Sequence, residues 1–293
     1  MGSMFSVYLQ ALISGLLIGG VFSLISVGLT LTFGVMKIKN FAHGDFLIVG
    51  MYFAFFCYTL IGIDPYFAAL IGVPLFFGIG WMLQKFLIRP VLEAPETIKI
   101  LITVGISLCL QNIAVFFFSS DYQTVQVAYA SNTIEVLGAR ISLTRLAATL
   151  LAVVIVVGLY QFLMRTRTGR AIRAVAEDGD GARAVGINID RIYMTALGIS
   201  TACVCIAGAM MTPFFYIAPT VGISFTLTAF VVVVLGGLGN LKGALFGGFI
   251  IGVVESFGEI LMPEAALKQV ATFTIFTLIL LFRPNGLFGT KLT

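Results

Sequence analysis

Six polar side chains sit inside or beside long apolar runs: Asn40, His43, Asp45, Thr103, Ser107 and Gln111. Thr103, Ser107 and Gln111 recur at i, i+4 and i+8, which puts them on one face of a helix with Asn112 beside them. Polar groups in lipid must find partners, so this face serves either hydrogen bonding between helices or one polar wall of a solute path. Asn40, His43 and Asp45 flank the start of the apolar run Phe46 to Ile63, where Asp45 suits a helix N-cap and Gly44 permits an unusual backbone. This break is either an ordinary turn at the membrane surface or a helix start within the membrane. In the second case the positive end of the helix dipole points into the protein and can hold a carboxylate. Glu255 and Glu259, one turn apart, face a partner, a path or solvent at a helix end. No span pairs a nucleophile with a base, no cluster has metal-ligand spacing, and His43 is the only histidine. The chain therefore reads as a non-enzyme without a resident metal.

The glycine-rich stretch Gly236 to Gly248, GGLGNLKGALFGG, lacks the G-x-x-x-x-G-K-[ST] pattern, and so does the rest of the chain. No ATP-binding loop is recognisable. Gly239, Gly243 and Gly247 recur every four residues, as do Gly248 and Gly252. Such a stripe lets a neighbouring backbone approach closely, or marks a broken, re-entrant helix whose backbone lines a cavity.

The elements that must carry these residues are membrane helices. The chain has 293 residues, 59% of them hydrophobic and 10% charged, and its mean hydropathy is +1.09. Several runs reach the roughly 20 residues a helix needs to span a bilayer. They are Tyr8–Val35, Phe46–Ile63, Tyr66–Ile88, Ile100–Ser119, Leu143–Met164 and Ile192–Thr212, with Phe225–Leu235, Ala244–Gly258 and Val270–Phe282 shorter. Cys57, Cys109, Cys203 and Cys205 all fall in apolar runs and form no disulfide framework.

One polar island interrupts this pattern. Arg165 to Arg191 carries six arginines in 27 residues. Short basic loops stay on the cytoplasmic side. With the island inside, Arg89–Lys99, Gly236–Gly243 and the tail bearing Arg283 and Lys291 also fall inside. Ser120–Ser142, Pro213–Ser224 and the MPEAALK segment then lie outside. The net charge of +4 follows from this topology and implies no nucleic-acid partner. Within the island, Ile172 and Val175 share an apolar face opposite arginines; Asp180 can cap a second short helix that Gly186 ends. The expected fold is an all-α polytopic membrane protein of about eight or nine transmembrane helices, with a broken or re-entrant helix near Gly236–Gly243. All 293 residues form a single permease-like domain with a loop at 165–191 built as a docking surface.

Three stretches carry a family resemblance: GLTLTFGVMKIKNFAHGDF (Gly28–Phe46), GRAIRAVAEDGDGARAVGIN (Gly169–Asn188) and VVLGGLGNLKGALFGGFIIGVVES (Val233–Ser256). The tail LLFRPNGLFG (Leu280–Gly289) adds to it. Their order and spacing resemble the LivH-type permease of bacterial branched-chain amino acid ABC importers over nearly the whole chain. The resemblance implies a multi-pass protein of the bacterial inner membrane with a cytoplasmic C-terminus. It also implies a second permease of LivM type or a second copy of this chain, two cytoplasmic ATPases that hydrolyse the ATP, and a periplasmic solute-binding protein. The chain itself would hold no cofactor. In such permeases a loop with an E-A-A-x-x-x-G pattern docks into the ATPase. Asp180, Gly181, Ala182 and Gly186 occupy those positions, with Asp for Glu and Gly for the first Ala, and Arg183 lies among them. Urea, short amides or aromatic acids are alternative solutes within that class. An ATP-independent channel or facilitator is the alternative outside it.

Overall fold

The computed structural model describes residues 2–136, 138–261, 265–283 and 286–289. Its centre is α1, Gly2–Met36, an unbroken helix of 35 residues. Then follow α2 (His43–Ile61), α3 (Pro65–Ile71), α4 (Val73–Leu83) and α5 (Glu96–Phe118). A hairpin, β1 (Thr133–Val136) and β2 (Ala139–Ser142), leads into α6 (Leu143–Arg165). The island forms α7 (Arg167–Glu177) and α8 (Gly179–Ala184). Four apolar helices close the chain: α9 (Ile189–Met211), α10 (Gly222–Gly236), α11 (Leu241–Leu261) and α12 (Ala265–Phe282). Among the described residues, α1, α2, α5, α6, α9 and α11 are each long and apolar enough to cross a membrane. The bent pair α3–α4 makes a seventh candidate, and α10 and the Val270–Phe282 part of α12 are shorter apolar helices. The all-α polytopic class is as the hydropathy pattern required.

One detail differs from the expectation. Tyr66–Ile88 reads as one run, but the chain bends by 49° between α3 and α4. Pro74 in the first turn of α4 has no N–H to continue the ladder from α3, and the break falls at Gly72. The polar stretch 120–142 is ordered. Its hairpin sets Glu135 opposite Arg140, and Gln123 exchanges backbone hydrogen bonds with Ile217. Of the MPEAALK segment, Met262, Pro263 and Glu264 lie outside the described residues, as does Lys291.

Small residues set the helix spacing. α1 and α11 pack along Gly15 and Gly19 on one side and Gly248 and Gly252 on the other, so the glycine stripe is a packing seam. α2 crosses α9 with Gly50 against the Cys205 carbonyl and Gly208 against the Leu47 carbonyl, and Cys205 Sγ donates to Phe46 O at 3.0 Å. α9 is buried along most of its length, whereas α5 exposes Leu101, Phe116 and Phe117 in the manner of a lipid-facing helix. A Cβ at Gly50 would overlap the backbone of α9, while one at Gly78 meets nothing within 4 Å. Gly50→Val should therefore cost about 1–3 kcal/mol or more by forcing α2 and α9 apart. Thermal unfolding in detergent should show a clear drop for Gly50→Val and little change for Gly78→Val; equal behaviour would remove the crossing from this description.

Candidate functional site

α1 ends at Met36 because Lys37 takes a left-handed backbone (φ 54) and turns the chain back on itself. Residues 37–42 then run back alongside α1. His43 Nε2 donates to the Ile25 carbonyl at 2.8 Å. Ile25 lies 11 residues before the end of α1, a distance of about 16 Å at the usual helical rise. Gln10, near the far end of the same helix, bonds the Arg140 backbone in the hairpin. α2 therefore starts deep in the layer, between the island end and the hairpin end, although its length alone would let it cross. Its far end reaches the hairpin side, where Tyr58 donates to the Gln126 carbonyl at 2.9 Å.

α10 also starts at this depth, from the opposite side. Ile217 pairs with Gln123 at the hairpin end, the chain dips inward, and α10 begins at Gly222. It then runs alongside α1 towards the island end, where Gly239 meets Gly34. The two helix starts touch. Gly44 N–H donates to Thr226 Oγ1 at 2.8 Å, and Thr226 Oγ1 in turn reaches the Gly222 carbonyl at 3.1 Å. A Cβ on Gly44 would overlap the Gly222 carbonyl, and one on Gly222 would lie 2.8 Å from Asp45 Oδ1. Only glycine at both positions allows this approach.

Asp45 occupies the junction. It is not the N-cap that the sequence suggested. Ala42 holds that position without a side-chain bond, because Asn40 Oδ1 already accepts from Ala42 N–H at 3.1 Å and starts the helix earlier. Asp45 lies in the first turn of α2, and Oδ1 accepts from Gln111 Nε2 at 2.9 Å. Gln111 also donates to Ser107 Oγ at 3.1 Å, and Thr103 Oγ1 donates to the Lys39 and Ile100 carbonyls at 3.2 and 2.9 Å. The polar face of α5 thus lies against the 37–45 segment. Asn112 turns away and bonds its own helix, at Leu108 O. Asp45 is 2% exposed, and its Oδ2 has no hydrogen-bond partner among the described residues. A carboxylate in so dry a setting is stabilised by two converging helix N-termini, each carrying partial positive charge. Thr226 and Gly222 complete the junction and were missed at the sequence level; the one signal was a threonine inside the apolar run of α10.

The island is ordered and anchored. Thr166 caps α7 by accepting from Gly169 N–H at 3.0 Å. Ile172 and Val175 are buried against Leu31, Val35, Ile38 and Leu163, while Arg173 Nε holds the Leu163 carbonyl at 3.1 Å. The cap of α8 is Asp178, which accepts from Asp180 N–H at 3.0 Å, and not Asp180 as the sequence suggested. The chain leaves α7 extended at Asp178, which places that side chain, two residues before Asp180, over the free N–H groups. Ala182 is buried in the same cluster as Ile172, whereas Asp180, Gly181 and Arg183 line the outward side. Gly186 ends the turn with φ 85, and Gly186 and Ile187 N–H bond the Arg183 and Ala182 carbonyls. At the same end, Lys39 pairs with Glu96 at 2.7 Å and Arg89 with Asp190 at 2.6 Å, both exposed. Such exposed pairs add little stability. The Gly236–Gly243 break is a tight turn, with positive φ at Gly237 and Gly239, held by Asn240 Oδ1 on Gly243 N–H at 3.1 Å.

Residues 11–282 match the family described as the permease component of the branched-chain amino acid transport system. The chain is 32% identical over 297 residues to the high-affinity branched-chain amino acid transport system permease protein BraD of Pseudomonas aeruginosa, covering 96% of each. It is 31% identical over 306 residues to LivH of Salmonella typhimurium, covering 99% of this chain and 98% of that one. A shorter likeness, 29% over 140 residues, links 47% of it to the permease protein LivM of Escherichia coli. No solved structure gives a significant match.

Thr226→Val preserves shape but removes the acceptor for Gly44 N–H. The expected loss is about 1–3 kcal/mol, from a buried donor left without a partner. Thermal unfolding should place Thr226→Val clearly below the parent and Thr226→Ser close to it. Indistinguishable Thr226→Val and parent proteins would mean that this contact does not hold the two helix starts together.

Proposed function

The chain belongs to the permease components of branched-chain amino acid transport systems, and from that premise we propose how it moves solute. It forms one half of the membrane path of an ATP-driven importer for branched-chain or other hydrophobic amino acids. A LivM-type permease or a second copy of this chain forms the other half. Two cytoplasmic ATPases hydrolyse the ATP, and a periplasmic binding protein delivers the solute. The protein lies in the bacterial inner membrane as a single permease domain, with the arginine island and the C-terminus cytoplasmic. It needs no cofactor of its own and catalyses no reaction.

The observation that carries this reading is the anchored island. α8 presents Asp180, Gly181 and Arg183 outward, and the turn after it presents Gly186, while Ala182 and the buried face of α7 fix this corner to the base of α1, α6 and α9. A short helix held this way transmits displacement without folding up. Arg183, with the exposed Arg167 and Arg170 of α7, would meet acidic rims of the ATPase and steer assembly. Movement of α7 acts on Val35, Met36 and Ile38, the residues that turn the chain into the 37–42 segment and so into α2. The largely buried wall of Asn40, His43, Asp45, Thr103, Ser107 and Gln111 then shifts with the end of α1. In this mechanism those six residues are positioning residues of the path: their hydrogen bonds go to one another and to backbone, which keeps the helix starts in register.

Gly186 has open space around it, since an added Cβ would meet nothing within 4 Å, but its φ of 85 suits glycine alone. Gly186→Leu should strain the turn and block the ATPase cleft while leaving the membrane core intact. In proteoliposomes with the complete importer, solute-stimulated ATP hydrolysis should fall about tenfold or more, and Arg183→Glu should weaken ATPase binding in a salt-dependent way. Unchanged hydrolysis in both variants would remove α8 from the coupling path.

A further inference from the structure

We propose that a cavity at the hairpin end, between α1, α6, α10 and α11, is a transit site for a free α-amino acid with an aliphatic side chain. The proposal rests on the importer reading and adds to it a place where the solute lodges within this chain. The cavity has a volume of about 260 Å³, just below the roughly 300 Å³ at which drug-sized sites begin and enough for a single small solute. Its chemistry is divided. Phe22 and Phe225 form an apolar floor, in edge contact with centroids 6.3 Å apart. Arg145 stands on one wall with its guanidinium 5.7 Å over the Phe214 ring, and makes no ion pair among the described residues. Glu255 and Glu259 stand on another wall, with Glu255 Oε1 accepting from Thr228 at 3.3 Å.

A zwitterion needs opposite charges at two places and a dry surface between them. Here a guanidinium suits the α-carboxylate, two carboxylates suit the α-ammonium, and the phenyl rings suit a branched aliphatic chain. A fatty acid or an amine would satisfy one wall only. The first turns of α10 also border this space, and their partial positive charge favours the carboxylate end.

The same turns of α10 have two working faces. Val221, Ser224, Phe225 and Thr228 line the cavity at i, i+3, i+4 and i+7, while Gly222 and Thr226 clamp the start of α2. A solute lodged against the first face therefore bears on the junction through one rigid helix turn. Arrival of solute and movement of the arginine island thus converge on the contact between α2 and α10 from opposite ends of the molecule.

Saturation-transfer NMR on the full chain in lipid nanodiscs tests the site, with three probes: L-leucine, 4-methylpentanoate, which lacks the ammonium, and 3-methylbutylamine, which lacks the carboxylate. L-Leucine should give transfer, and each truncated probe should bind about tenfold more weakly or worse. Arg145→Gln should abolish the leucine signal, Arg145→Lys should retain most of it, and Glu255→Gln should lower it. Ser224→Trp fills the cavity from an exposed position and should also abolish the signal, which covers the case in which Arg145→Gln does not fold. The proposal is overturned if leucine shows no transfer to the parent, if the truncated probes bind equally well, or if Ser224→Trp leaves the signal unchanged. Leucine uptake and ATP hydrolysis by the complete importer separate the two readings. Intact uptake with pocket variants of parental behaviour rejects this site alone, and absent uptake with an intact leucine signal rejects the importer reading alone.

Discussion

Two helices that begin inside the protein, N-terminus to N-terminus, set the constraint on which this fold depends. Each first turn leaves N–H groups without helical partners and carries partial positive charge, in surroundings with little water to offset either. Thr226 accepts from Gly44, and the Asp45 carboxylate lies at the seam between the two positive ends. Gln111 binds one of its oxygens from α5, so a third helix is drawn into the junction. Removing the carboxylate would leave two like-signed helix ends facing each other. Removing the helix ends would leave a buried charge. Either loss costs more than the small net worth of an ordinary hydrogen bond, because the surviving partner is left uncompensated.

The surrounding architecture brings those starts together. α1 supplies a rail long enough for both: Ile25 receives His43 at the start of α2, and Phe22 meets Phe225 in the first turns of α10. α9 backs α2 through the Gly50 and Gly208 crossing. α11 backs α1 through its own glycines, and the 237–240 turn returns the chain from α10 at Gly34. The island is packed on the end of the same rail. In the proposed mechanism, force from the ATPases therefore enters at α8 and is felt where α2 begins. The two half-length entries, one from each end of the layer, also explain why α10 needs only 15 residues.

The sequence made the helical class, the order of spans and the amphipathic island legible, because each is written in local composition and period. Ile172 and Val175 could be placed on a buried face from spacing alone, and α5's Thr103, Ser107 and Gln111 on a shared one. What those faces touch could not be read. Asn40 outcompeted Asp45 for the helix start by a bond two residues along the chain, and Asp178 displaced Asp180 in the same way; shifts of a cap by a residue or two lie below what composition resolves. The bend at Gly72 was written in the nearby Pro74, although hydropathy averaged over it. Thr226 and Arg145 were hidden for a different reason. Their meaning comes from groups far along the chain, Gly44 at the helix junction and Glu255 across the cavity, and no local pattern announces a neighbour at that distance.

Cryo-electron microscopy of the assembled importer in a lipid nanodisc, with the bilayer density resolved, measures the depth of Asp45 directly. The Asp45 Cα should lie within about 5 Å of the midplane of a hydrocarbon layer about 30 Å thick, dry, bonded to Gln111 and against Gly222. An α2 that starts at the headgroups with Asp45 in water, or an α10 that crosses both leaflets apart from it, would contradict this account.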